Sequence, residues 1–171
     1  MAKKKDETPV KEDEDIGVVG RTPLLVHRQY LKDLSFENPN SPGILHRIEA
    51  QPVMDMDIAI DVQKLDHEEF ENYYEVILKL NANAVREKEA MFIADIDYAA
   101  AVSIEGLEPK QHHPLLFIEV PQLLFPFARQ ILANITQSGA FMPLQIAPVN
   151  FRQMYLQRFG DKLADKEKKA S

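Results

Sequence analysis

Between Val53 and Leu65 apolar and polar residues alternate strictly. Met54, Met56, Ile58, Ile60 and Val62 fall on one side, and Asp55, Asp57, Ala59, Asp61 and Gln63 fall on the other. A period of two sends successive side chains to opposite faces, so the pattern predicts a strand with one buried and one wet face. Tyr73 to Val85 repeats it, with Tyr74, Val76, Leu78, Leu80 and Ala82 inward. After the charged turn Arg86-Glu-Lys-Glu89 comes Ala90 to Val102. Its inward side is Phe92, Ala94, Ile96 and Tyr98, and its outward side is Met91, Ile93, Asp95 and Asp97. An earlier strand, about Leu24 to Glu37, puts Tyr30, Leu34 and Phe36 on one face and Leu31, Asp33, Ser35 and Glu37 on the other. Short links among the last three strands predict an antiparallel meander.

The period then changes. Residues 121 to 138 have helical spacing, with Gly139 as the stop and Pro126 placed near the first turn, where a missing N–H matters least. Leu124, Phe127, Ala128, Ile131 and Ile135 form a stripe, which Leu123, Phe125 and Leu132 widen. An arc this wide needs a second cover besides the sheet. The simplest cover is another copy of the chain, with Phe125 and Leu132 at the oligomer interface. Phe141 to Pro148 reads as an extended, proline-punctuated link. A second helix follows, carrying Phe151, Met154, Tyr155, Arg158 and Phe159 at three-and-four spacing, with Gly160 as its cap. Strands followed by helices give an α+β fold: a four-stranded antiparallel sheet with two main helices.

Charge divides the chain. Its 171 residues suit one domain, over 21–160, between charged tails at 1–20 and 161–171 that read as disordered. Residues 33–119 carry 18 acids against six Lys or Arg, net −12, whereas 120–160 carry three Arg and no acid. A formal charge of −7 argues against a nucleic-acid binder, which needs a basic face. There is no cysteine, hence no disulfide or thiolate chemistry. The longest unbroken apolar run, Tyr98 to Val102, is too short to cross a bilayer, and no apolar leader follows Met1. The expectation is a soluble cytoplasmic protein.

The wet face gathers Asp33, Glu37, Asp55, Asp57, Asp61, Glu75, Asp95 and Asp97. It reads either as a solvated surface that resists edge-to-edge aggregation or as a docking face for a basic partner. Ile93 and Leu31 on that side favour docking. Candidate chemistry is thin: there is no phosphate loop or dinucleotide fingerprint, and His112-His113 are neighbours that point apart. Asp95-x-Asp97 and Asp55-x-Asp57 are explained as surface carboxylates. The reading is no enzyme, no metal and no cofactor.

Four stretches together resemble the SecB family of bacterial protein-export chaperones. They are Tyr30-Leu-Lys-Asp-Leu-Ser-Phe-Glu-Asn-Pro-Asn-Ser-Pro42, Tyr74-Glu-Val-Ile-Leu78, Leu124-Phe-Pro-Phe-Ala-Arg129 and Ile146-Ala-Pro-Val-Asn-Phe151. The resemblance implies a homotetramer, a dimer of dimers with the helices central. It implies ATP-independent binding of unfolded secretory precursors and their delivery to the SecA motor. Carried over by position, the SecA contacts are Asp33, Glu37, Ile93 and Asp95. The client groove is Ile44, Leu45, Ile48, Val53, Met54, Met56, Phe127, Met154 and Tyr155. Two other functions stay open: a chaperone dedicated to one cytosolic client, such as an antitoxin, and a small-ligand carrier.

Overall fold

The computed structural model describes residues 23–46 and 52–170, with side chains described to Gly160. Strand β1 (Leu24–Glu37) is followed by a short 3-10 turn (Gly43–His46). Then come β2 (Val53–Leu65), β3 (Tyr73–Arg86) and β4 (Glu89–Ile104). Helix α1 (Pro109–Pro114) runs through a π-helical turn (Leu115–Glu119) into α2 (Val120–Ser138), and α3 (Phe151–Ala170) closes the fold. The sheet order is β1-β4-β3-β2 and every pairing is antiparallel. β2, β3 and β4 form the expected meander, and β1 returns beside β4 as in a Greek key.

The inner face of the sheet carries the core. Val76, Leu78, Leu80, Ile96, Val102 and Ile104 lie beneath Leu124, Ala128 and Leu132, each 1% exposed or less. The sequence expectation for β2, β3 and most of β4 holds residue by residue. Three register shifts interrupt the ladders, one of them between Val26 and Arg28, and the other two correct the rest. One between Leu31 and Asp33 puts Tyr30 opposite Ala99, on the outer face, and Leu31 opposite Tyr98, on the inner face. One between Ala84 and Val85 opposite Ala90 and Phe92 leaves Met91 out of the alternation and 9% exposed. A bulge adds one residue to one strand, and every side chain beyond it changes face.

The helix layer also differs from expectation. The rod Pro109–Ser138 is 30 residues long and, by length and composition, apolar enough to cross a membrane. Counting unbroken apolar runs missed it, because scattered Gln and Asn interrupt a run without making the segment polar. Val120, Pro121, Leu124, Phe125, Ala128, Leu132 and Ala133 are buried, as in the core helix of a globular protomer. Pro126 lies beyond the first turn of α2, where Pro121 sits instead. Gly160 does not end α3. Residues 161–170 are mostly Ala, Leu, Glu and Lys, which favour helix, and one interior glycine costs only about 1 kcal/mol. The backbone is therefore helical to Ala170, where a solvated tail was expected. The tail expected at 1–20 lies outside the described residues.

Gly139 ends α2 as expected, but for a reason of space. Its φ is −76°, and the neighbouring Ala140 takes the left-handed turn at 66°. A Cβ on Gly139 would stand 2.5 Å from the Phe36 ring, which is itself stacked on Phe92 at 5.8 Å. Gly139→Ala is therefore expected to destabilise the fold by about 1–3 kcal/mol through overpacking, read as a lower urea midpoint at an unchanged slope.

Candidate functional site

On the outer face, register assembles the carboxylates. Asp33 pairs across the ladder with Asp97, Ser35 with Asp95, and Glu37 with Ile93. The four positions Asp33, Glu37, Ile93 and Asp95 thus form one patch on β1 and β4. Asp95 accepts hydrogen bonds from the Asn81 side-chain amide and, at 3.4 Å, from the Ser35 hydroxyl. Other acids of this face are already balanced. Lys79 bridges Asp61 at 3.0 Å and Asp97 at 3.8 Å, and the Asp61 hydrogen bond leads the causes that raise the pKa of its ammonium. Among the described residues, no Lys or Arg pairs with Asp33, Glu37, Asp55, Asp57 or Asp95. The field that an incoming cation meets comes from these five.

Glu75 leaves that field altogether. It is 7% exposed, accepts the Tyr30 hydroxyl, and binds the Lys32 ammonium at 2.6 Å. Burial alone would raise its carboxyl, but hydrogen bonds from Lys32 and Tyr30 outweigh burial and hold it below its ordinary 4.5. Tyr30 is pushed up to about 12, first by burial and then by Glu75. A carboxyl lowered in the folded state adds stability above its unfolded pKa, and that stability is lost as pH falls through the folded value. Glu75→Gln is thus expected to cost about 1.5–3 kcal/mol at neutral pH. The gap to wild type should close as pH falls below that ordinary 4.5 and through the lowered folded value, as followed by urea denaturation across pH.

Two clefts open on the helix side. The first, 450 Å³, lies between Ile44, Leu45, Met54 and the link residues Phe141, Met142 and Leu144, with Arg86 and Met91 in its wall. Arg86 is 7% exposed and donates to the Ile44 carbonyl at 2.6 Å, tying β3 to the turn after β1. The link is held to α2 by the Thr136 hydroxyl, which accepts the Leu144 N–H at 3.0 Å. The second cleft, 420 Å³, lies between β2 and α3, against Ile58, Ile60, Phe117, Met154, Tyr155 and Arg158. Met56 sits on the same face of β2, between Met54 and Ile58, and packs on the core.

The expected groove residues therefore divide. Ile44, Leu45 and Met54 line the first cleft, and Met154 and Tyr155 line the second. Val53 is 74% exposed and out of phase with Met54. Phe127 is 51% exposed, lines neither cleft, and stacks on Tyr98 at 6.0 Å. Ile48 lies outside the described residues. The interface residues are also corrected. Leu132 is fully buried in the protomer core, and Phe125 is 7% exposed against Phe151 at 5.8 Å. The exposed stripe of α2 carries Leu123 and Phe127 instead. Sequence reasoning missed Phe141, Met142, Leu144, Phe117 and the two arginines as cleft walls. The proline-punctuated link was the available signal for the first three.

Residues 20–162 match the family model described as "Preprotein translocase subunit SecB". The chain belongs to the SecB family. Among curated relatives, a SecB from Rhodospirillum rubrum is 40% identical over 138 residues, covering 81% of this chain and 83% of its own. One from Mesorhizobium japonicum is 37% identical over 167 residues, covering 97% and 98%. Both are named protein-export protein SecB. Among solved structures, a Mycobacterium tuberculosis SecB-like chaperone matches with a TM-score of 0.60 at 14% identity, over 74% of this chain and 91% of that one. That likeness shows the shared fold. The structure is a complex with a ChAD peptide from the HigA1 antitoxin.

Proposed function

We propose that this SecB-family protein is an ATP-independent chaperone of protein export. It holds unfolded secretory precursors on its helix side and delivers them to SecA through its acidic outer face. The carrying observation is the separation of two surfaces: apolar clefts on one side of the sheet, and five acids without a basic partner among the described residues on the other. Met54, Met142 and Met154 and the adaptable link suit clients of varied sequence. Val53 and Phe127 are no longer part of the proposed groove, and Asp33, Glu37, Ile93 and Asp95 remain the proposed SecA contacts. The protein works in the cytoplasm as a tetramer, where several clefts act on one extended chain and gain avidity.

The proposed self-association face is Leu31, Leu34, Tyr98, Leu123 and Phe127. Leu31 pairs across the ladder with Tyr98, and Phe127 stacks on Tyr98, so three of the five are contiguous. Leu31, Leu34 and Phe127 remain 42%, 37% and 51% exposed in the protomer, as an interface awaiting a partner would be.

A dedicated-client role is favoured by one observation, the antitoxin peptide held by the mycobacterial relative of the fold. Two measurements separate the readings. Suppression of aggregation of a chemically unfolded protein without nucleotide supports the holdase, and binding to the isolated C-terminal tail of SecA supports export. Suppression without SecA binding would favour the private client, and the absence of both would sink the proposal.

A further inference from the structure

We propose that the first cleft binds a fatty carboxylate, with its acid group on Arg86 and its chain along the apolar walls. The cleft lies at the end of the sheet that carries the β3–β4 hairpin, where the turn after β1 and the link before α3 meet it. Its 450 Å³ falls within the range of about 300–1,000 Å³ found for small-molecule sites. Leu45, Met54, Met91, Phe92, Phe141 and Leu144 line it, and methionines let such a wall adapt to a flexible chain. Among the described residues Arg86 is the one charged side chain in the lining, and Gln145 is the one other polar side chain.

Arg86 is what calls for an anion. It ends β3 and is only 7% exposed. A positive charge withdrawn from water is ordinarily matched by a carboxylate, because burying it unpaired is costly. Glu89 stands opposite Arg86 in the ladder, yet no carboxylate among the described residues forms an ion pair with the guanidinium. Nη2 donates to the Ile44 carbonyl at 2.6 Å, which holds the group in place and leaves most of its five N–H donors for another acceptor. Two carboxylate oxygens suit that fork, and a guanidinium already fixed loses little freedom on meeting them. The net charge of −7 repels anions from the protein as a whole, so a preference for a carboxylate has to arise at Arg86. One acid on one apolar chain matches one guanidinium in an otherwise apolar wall. A peptide of the same bulk would bring backbone amides with it, for which Gln145 is the one remaining side-chain partner in the lining. Such a ligand would compete with the client side chains proposed for the same cleft.

The test uses the full-length protein with isotope-labelled methionine methyl groups and two probes of equal chain length, decanoate and 1-decanol. Decanoate should shift the methyl resonances of Met54, Met91 and Met142, which line this cleft, and leave that of Met154, which lines the second. By calorimetry, wild type should bind decanoate at least about tenfold more tightly than 1-decanol, as for hydrogen bonds to a buried charge. Arg86→Met, which keeps apolar bulk and removes the charge, should bind the two alike, and Arg86→Lys should keep part of the preference. Equal or weaker binding of decanoate by wild type would overturn the proposal, as would a preference that survives Arg86→Met, or shifts confined to Met154. The wild-type spectra and the order of the two probes decide the matter even where Arg86→Met fails to fold. If an unfolded client shifts the three methyls and decanoate does not, the cleft serves clients alone, and the chaperone reading stands without this ligand.

Discussion

A Phe127→Glu variant is expected to remain folded and to lose mass in solution. The Phe127 side chain is half exposed on the isolated protomer, so glutamate there meets water and leaves the core intact. Within an assembly the same position would be buried against a second copy. An aromatic anchor lost and a carboxylate desolvated together weaken association on the order of a hundredfold or more. Light scattering would then report dimers or protomers where the proposed tetramer would give four chains, with an unchanged urea midpoint for the folded unit. Leu132→Glu serves as the contrast. Leu132 is fully buried under the sheet, so a charge there should unfold the protomer, at a cost of about 3 kcal/mol or more. If Phe127→Glu keeps the wild-type mass, the copies meet through another face.

The second large effect is expected from Asp33→Lys/Glu37→Lys/Asp95→Lys. Each site is on the outer face, and none is paired with a Lys or Arg among the described residues. Each reversal replaces an attraction of about 0.2–1 kcal/mol with a repulsion of similar size. Over three sites that comes to about 1.2–6 kcal/mol, so affinity for the SecA tail should fall by about tenfold or more at low salt, and less at high salt. Client capture should be untouched, because the clefts lie on the other side of the sheet. Titration calorimetry with the SecA tail, beside an aggregation assay, measures both. Equal SecA affinity in the triple variant would move the docking site elsewhere.

Much of this was legible in the chain because a strand has an exact period. Met54 to Val62 and Tyr74 to Ala82 could face only one way, and their acids could face only the other. What the sequence concealed was phase. At Leu31–Asp33 one additional residue exchanges the faces of Tyr30 and Leu31, and the alternation on either side gives no sign of it. In α2 the difficulty is the reverse. Leu123, Leu124, Phe125, Phe127, Ala128, Ile131 and Leu132 are apolar nearly all round, so spacing cannot say which of them meets the sheet. Leu132 and Phe127 therefore exchange the roles expected of them. The proposed SecA patch needed only facing strands to come together. The clefts needed a link, a 3-10 turn and two helices, which periodicity does not place.

The position of β1 at the far side of β4 has a consequence for how the molecule is made. β2, β3 and β4 can pair by closing two short turns, whereas β1 finds its neighbours only between Glu37–Ile93 and Leu24–Ile104. Closing so long a loop is entropically slow and has to await the hairpins. During synthesis the first strand emerges early and stays unmatched until the fourth has left the ribosome. A newborn copy of this protein is for that interval an unfolded segment of the kind its finished siblings are built to hold.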